Sequence, residues 1–273
     1  MKNRAIYFIS DRTAITAETL GQSLMTQFEG IELERHVVPF IDTAEKAFNI
    51  QQIINKSSQE NNAKSVVFST FTNEKIGEIV KESRCIFYDF FNDYVKKMEH
   101  DLHQESAHIV GMSHGIGDES SYEARIRAVN YALVNDDGGR LDHYQQADVI
   151  LVGVSRTGKT PTSLFLALQY GIYTANFPIT DSDLDNAYLP KALKPYKKKL
   201  FGLTIAADQL RRIREERRPG SPYASMRQCQ REVSQVEELF LQENIPFLNV
   251  TSISIEEIAA NIRLARHLDV KQF

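Results

Sequence analysis

The amino-acid sequence predicts an α/β protein: an N-terminal parallel α/β half, then a second α/β domain that starts near residue 147. Three observations predict it. Short apolar runs alternate with stretches of helical periodicity through the first hundred residues, the pattern of a parallel sheet covered on both faces. A glycine-bearing polar stretch, residues 103–121, then breaks the rhythm. Beyond it the alternation resumes, and its first apolar run feeds a glycine-rich turn at Gly153.

The elements follow in order. Ala5–Ile9 reads as the first strand; it ends at Ser10-Asp11-Arg12-Thr13, and a helix runs on to about Phe28. Val37–Ile41 reads as the second strand. Asp42 is expected to cap the next helix, with Glu45 three residues on completing a capping box. Ser65–Phe71 and Cys85–Phe90 read as the third and fourth strands, followed by helices from about Asn73 and over Asp93–Leu102. These make a first domain of residues 1–105. Residues 106–146 are a connecting loop and helix. The loop holds His108, Gly111, His114, Gly115 and Gly117, and the helix has one apolar stripe of Tyr122, Ile126, Val129 and Leu133. It stops at Asn135-Asp136-Asp137-Gly138-Gly139. In the second domain, 147–273, Val149–Val152, Ala175–Ile179, Leu200–Ile205 and Phe247–Val250 read as strands. A helix over Pro161–Tyr170 stops at Gly171, and Ser254-Ile255-Glu256-Glu257 opens the last helix with a capping box. No internal repeat is visible.

Composition narrows the function classes. With 42% hydrophobic and 25% charged residues, the 273-residue chain has the balance of a soluble globular protein with a sizeable core. A formal charge of −4 gives no general attraction to nucleic acid or to an anionic membrane. No apolar run approaches the length of a membrane span. Cys85 and Cys229 cannot make a disulfide framework, and the start Met-Lys-Asn-Arg is unlike a secretion signal, so a cytoplasmic location is expected. His100 and His103 lack the further ligands that a structural zinc site needs and read as surface residues.

The chemistry sits at Gly153-Val154-Ser155-Arg156-Thr157-Gly158-Lys159-Thr160, which fits G-x-x-x-x-G-K-[ST]. Phosphate oxygens need several backbone N–H groups pointing inward, so the loop must turn tightly. The helix that follows presents free N–H groups and the positive end of its dipole. Lys159 is expected to reach the outer phosphates and the Thr160 hydroxyl to ligate Mg²⁺. The pattern makes the second domain P-loop kinase-like. The competing hydrolase elbow G-x-S-x-G fails at Thr157, where it wants glycine.

Four further features bear on an acceptor. Asp136 and Asp137 lie upstream of the P-loop strand, where a carboxylate can orient a hydroxyl or hold Mg²⁺ through water; the same residues also suit a plain helix-ending turn. Arg211, Arg212, Arg214, Arg217 and Arg218 crowd one segment, read either as a lid over the transferring phosphate or as a solvated helix face. Lys191, Lys194 and Lys197–Lys199 read either as a docking patch or, more simply, as a solvated face. His114 is a candidate acid–base residue or phosphate ligand.

Val149–Gly171 closely resembles the bacterial phosphoenolpyruvate synthase regulatory proteins, which belong with the pyruvate, phosphate dikinase regulatory proteins in one kinase–pyrophosphorylase family. The likeness spans nearly the whole chain. It includes Ile9-Ser10-Asp11 with Thr13-Ala14-Ile15-Thr16-Ala17-Glu18, Ser113-His114-Gly115, Ala124-Arg125-Ile126 and Asp136-Asp137-Gly138. It continues through Gly202-Leu203-Thr204-Ile205, Ile213–Arg218, Tyr223-Ala224-Ser225 and Arg227-Gln228-Cys229. Arg12 departs from it, standing where the family has a smaller residue. The resemblance implies a bifunctional regulator. With ADP as donor it would phosphorylate a threonine of the synthase and switch it off; with inorganic phosphate it would remove that phosphate and release pyrophosphate. It implies Gly153–Thr160 as the ADP site, Asp137 as the carboxylate that orients the hydroxyl, Arg214, Arg217 and Arg218 as a phosphate clamp, and a homodimer. From pattern alone, a small-molecule kinase and a non-catalytic nucleotide sensor stay open.

Overall fold

The computed structural model describes residues 4–106, 119–185 and 188–268. The chain divides into two compact units, Met1–Ile116 and Gly117–Phe273. Each holds its own four-stranded sheet, parallel throughout, so the α/β reading is borne out.

The first unit runs β1 (Arg4–Ile9), α1 (Ile15–Met25), β2 (Leu33–Val38), α2 (Ala44–Glu60), β3 (Ser65–Ser69), α3 (Glu74–Lys81), β4 (Cys85–Asp89) and α4 (Asn92–Leu102). The strand order is β2-β1-β3-β4. The central strands β1 and β3 are the continuous apolar runs that burial on both faces demands. Ile50, Ile54, Ile76 and Val80 of α2 and α3 pack on Tyr7, Ile9 and Val67. On the other face Ala17 of α1 packs with Phe8, Val66 and Phe68.

Two expectations change here. The second strand is Leu33–Val38 rather than Val37–Ile41. As an edge strand it is largely solvated, so it carries little apolar signal, while Phe40 takes a left-handed φ of 61° that ends the extended run. Ile41 is buried, but against α2 and not in the sheet. The cap of α2 is Thr43, whose hydroxyl accepts the Lys46 N–H at 3.3 Å, whereas Asp42 forms an ion pair with Lys46 Nζ at 2.6 Å.

The second unit runs α5 (Glu119–Val134), β5 (Val149–Gly153), α6 (Lys159–Tyr170), β6 (Thr174–Pro178), α7 (Asp181–Asp185), β7 (Leu200–Thr204), α8 (Ala207–Arg217), α9 (Met226–Gln242), β8 (Phe247–Asn249) and α10 (Ile255–Arg266). Its order is β6-β5-β7-β8. Both sheets thus place their strands second, first, third, fourth, a duplication of architecture without a visible repeat of sequence. The capping box at Ser254 and Glu257 is present. The apolar stripe on α5 does not form the buried face: Tyr122, Ile126 and Leu133 are exposed. Ala128 and Ala132 are buried instead, against Ala167 of α6, because small side chains let two helices approach closely. No helix among the described residues is long and apolar enough to cross a membrane.

Candidate active site

The order of the second sheet reverses at β5, which lies between β6 and β7. In an open α/β sheet the crevice beyond the strand ends at such a point is where ligands bind. The chain leaving β5 there is the glycine-rich loop 153–160, whose sequence has the P-loop pattern. All five β5 residues are buried, which anchors the loop's entry. Gly153 has φ 157°, and a Cβ on it would stand 2.3 Å from the Leu203 carbonyl oxygen, so no other residue fits. Gly158, at φ 80°, turns the chain into α6.

Within the loop the Val154 carbonyl accepts two hydrogen bonds at 3.0 Å, from the Thr157 hydroxyl and from Lys159 Nζ. Lys159 is only 5% exposed. Burial brings its pKa down to about 8, against the opposing pull of Asp137 and Asp136, with Arg156 and Arg214 adding to the lowering. A cleft of about 400 Å³ opens over the loop, lined by Asp137, Arg156, Lys159, Thr160 and Pro178 among others. A lysine held by its own loop beside an open cleft is a cation ready to exchange a carbonyl for a phosphate oxygen.

The acidic turn after α5 faces the same cleft. Thr160 donates its hydroxyl to Asp136 Oδ1 at 2.8 Å. Asn176 in β6 holds the turn from below: its Nδ2 donates to Asp136, and its Oδ1 accepts the Asp137 N–H at 3.0 Å. Tyr144 donates to the Asn176 carbonyl at 2.8 Å. Asp137 sits at φ 47°, a conformation that few residue types adopt, and lines the cleft. Two oxygen donors, the Thr160 hydroxyl and the Asp136 carboxylate, are therefore adjacent, and their chemistry suits Mg²⁺, which binds one or two protein oxygens beside phosphates and waters. Asn176 is visible in sequence as a polar amide inside an apolar strand, and here it is fully buried.

The arginine segment divides. Arg214 is fully buried and is not in the cleft lining. It forms a two-pronged ion pair with Glu232 at 2.8 and 2.6 Å, donates to the Tyr223 and Ser155 carbonyls at 3.1 and 3.2 Å, and stacks over the Tyr223 ring at 4.0 Å. Tyr223 in turn donates to the Ser155 hydroxyl at 2.9 Å. So Arg214 braces the P-loop from outside instead of clamping phosphate. The reason is helical geometry: Arg214 shares the buried face of α8 with Leu210, one turn earlier. Arg217 and Arg218, at the end of that helix, are exposed and make no ion pair among the described residues. His114 lies outside the described residues.

The lowered pKa of Lys159 has a measurable consequence. An anion in the cleft would favour the charged amine, so near pH 8 anion binding is expected to take up protons, with affinity falling as pH rises further. Calorimetric titration in two buffers of different ionisation enthalpy reads this uptake, and Lys159→Met removes it. Stability runs the other way. The folded pKa of about 8 is below the 10.5 of the free side chain, so the unfolded chain binds more protons between those values. Lys159 therefore makes stability rise with pH across that window.

Residues 6–263 match the sequence profile of the kinase/pyrophosphorylase family. The chain is 50% identical over 266 residues to a protein of Stutzerimonas stutzeri, covering 97% of this chain and 98% of that one. It is 49% identical over 259 residues to one of Alkalilimnicola ehrlichii, covering 95% and 94%. A third, from Pseudomonas aeruginosa, is 50% identical over 266 residues and 97% of each chain. All three carry the name "putative phosphoenolpyruvate synthase regulatory protein".

Proposed function

The chain belongs to the kinase/pyrophosphorylase family, and on that premise we propose that it regulates a phosphoenolpyruvate synthase by moving a phosphoryl group onto and off one of its threonines. The observation that carries the reading is the shared cleft: Lys159 and Asp137 line one space above the P-loop. ADP as the donor rests on the family resemblance.

In the forward direction the threonine oxygen attacks the terminal phosphorus of ADP, the bridging P–O bond breaks, and AMP leaves. The Asp137 carboxylate accepts the hydroxyl proton. Lys159 lies against the phosphoryl group in flight and offsets its charge. The backbone N–H groups of 153–160 hold the remaining phosphate oxygens, and Arg217 and Arg218 approach from the solvent side. Thr160 and Asp136 would hold Mg²⁺, which when bound neutralises phosphate charge. In reverse, an oxygen of inorganic phosphate attacks the phosphorus of phosphothreonine. Pyrophosphate forms, and Asp137 returns its proton to the threonine oxygen. One set of cations serves both directions because both are in-line transfers between two oxygens.

The test is transfer of label from ADP labelled at its terminal phosphate to a threonine of the synthase, followed by phosphate-dependent release as pyrophosphate. Label on a metabolite would establish a small-molecule kinase, and binding without transfer would establish a sensor. Asp137→Asn is expected to lower the rate of threonine transfer by about 10²–10⁴-fold while leaving the KM for ADP near its original value. An equal rise in KM with the rate unchanged would remove Asp137 from proton transfer.

A further inference from the structure

The P-loop holds one residue that a phosphate cradle does not require. Three of its positions have positive φ: Gly153 at 157°, Arg156 at 79° and Gly158 at 80°. Glycine adopts such backbone freely, whereas any L side chain there is strained. At position 156 the chain accepts that strain and keeps an arginine. Strain held at a functional site invites the question of what the side chain does there.

The surroundings narrow the answer. Arg156 lines the cleft beside Lys159. Its Nε is shielded from solvent and has no hydrogen-bond partner, and its guanidinium makes no ion pair among the described residues. Arg156 also bears on Lys159 as a like charge. Two adjacent cations, one with an unanswered inward donor, form a site completed by an anion. A guanidinium binds a phosphate through two parallel N–H donors, a geometry that a lysine ammonium lacks.

We propose that Arg156 is the specificity residue for free inorganic phosphate, holding the phosphate that attacks while Lys159 holds the phosphoryl group that moves. The inference rests on the proposed function and deepens it. Pyrophosphate formation brings two anions to bonding distance, and one lysine offsets only one charge. By symmetry of the in-line transfer, the attacking phosphate stands where the α-phosphate of ADP stands in the forward direction. ADP keeps its nucleoside as a second point of attachment and inorganic phosphate has none, so loss of Arg156 weighs more on phosphate than on ADP.

The experiment compares wild type with Arg156→Gly and Arg156→Lys. Glycine relieves the backbone strain, so its melting temperature is expected within about 3 °C of wild type. The KM for inorganic phosphate is expected to rise about tenfold or more, with a smaller rise for ADP. Lysine, which keeps the charge but not the fork, should fall between the two. A KM for phosphate unchanged in Arg156→Gly, or equal rises for phosphate and ADP, would overturn the proposal. Calorimetric binding of inorganic phosphate and pyrophosphate separates this failure from that of the wider reading. If wild type shows no phosphate-dependent dephosphorylation, the functional reading fails. A loss of phosphate binding in Arg156→Gly still supports the assignment of the side chain, and retained binding rejects it.

Discussion

Lys159→Met is expected to abolish transfer to threonine and phosphate-dependent dephosphorylation together, each by about 10²–10³-fold, without loss of stability. The argument has two parts. Lys159 is the cation of the cleft whose amine already sits on the P-loop, 3.0 Å from the Val154 carbonyl, so it is placed to meet charge developing on a transferring phosphoryl group. It is also a buried amine whose pKa is lowered to about 8, which means the folded protein bears a cost for holding it charged at neutral pH. Methionine keeps most of the volume and removes that cost. Melting curves are therefore expected to show an unchanged or raised midpoint alongside lost activity. If the variant keeps full phosphorolysis but loses threonine transfer, the two reactions use separate sites and the single-cleft reading falls.

What the sequence made legible depended on how local the determining contacts are. The P-loop is local: eight consecutive residues, a strand before and a helix after, with Gly153 and Gly158 where positive φ is needed. Its flanking strand and helix and its two glycine turns were readable from those residues and their neighbours. The four strands of the second sheet were readable for the same reason, as short apolar runs. The edge strand β2 was not, because its solvated residues, Leu-Glu-Arg-His-Val-Val, carry no periodic burial signal. On α5 the apolar stripe is real but largely faces solvent, since close packing on α6 prefers Ala128 and Ala132 over the larger Tyr122 and Leu133. The site's supporting residues were the least legible. Asn176 reaches Asp137 across 39 positions of sequence, and no local pattern links an amide on β6 to a turn after α5. Asp136 and Asp137 could be named, yet their division of work, Asp136 on Thr160 and Asp137 on the cleft, exists only in the fold.

Arg214 shows the same limit most sharply, and it carries the second large prediction. Five arginines in one segment look alike in sequence, but only Arg214 lies on the buried face of α8 against α9. Arg214→Ala is expected to destabilise the protein by about 3–5 kcal/mol, because it leaves Glu232 buried without its cation. Arg217→Ala and Arg218→Ala are expected to change stability by less than about 0.5 kcal/mol, since both are exposed. Chemical denaturation of the three variants checks this directly. A phosphate clamp would give the reverse order of effects, with Arg214→Ala stable and impaired only in substrate binding. The paired replacement Arg214→Met with Glu232→Leu removes both charges and should recover much of the stability. It does not restore the hydrogen bond to the Ser155 carbonyl. That carbonyl and the Arg156 N–H belong to one planar peptide and point in opposite directions, so the brace sets the direction of a P-loop donor. The doubly substituted protein is therefore expected to fold yet bind phosphate more weakly than wild type. Wild-type affinity for phosphate in that protein would show that the loop holds its shape unaided, leaving Arg214 a role in stability alone.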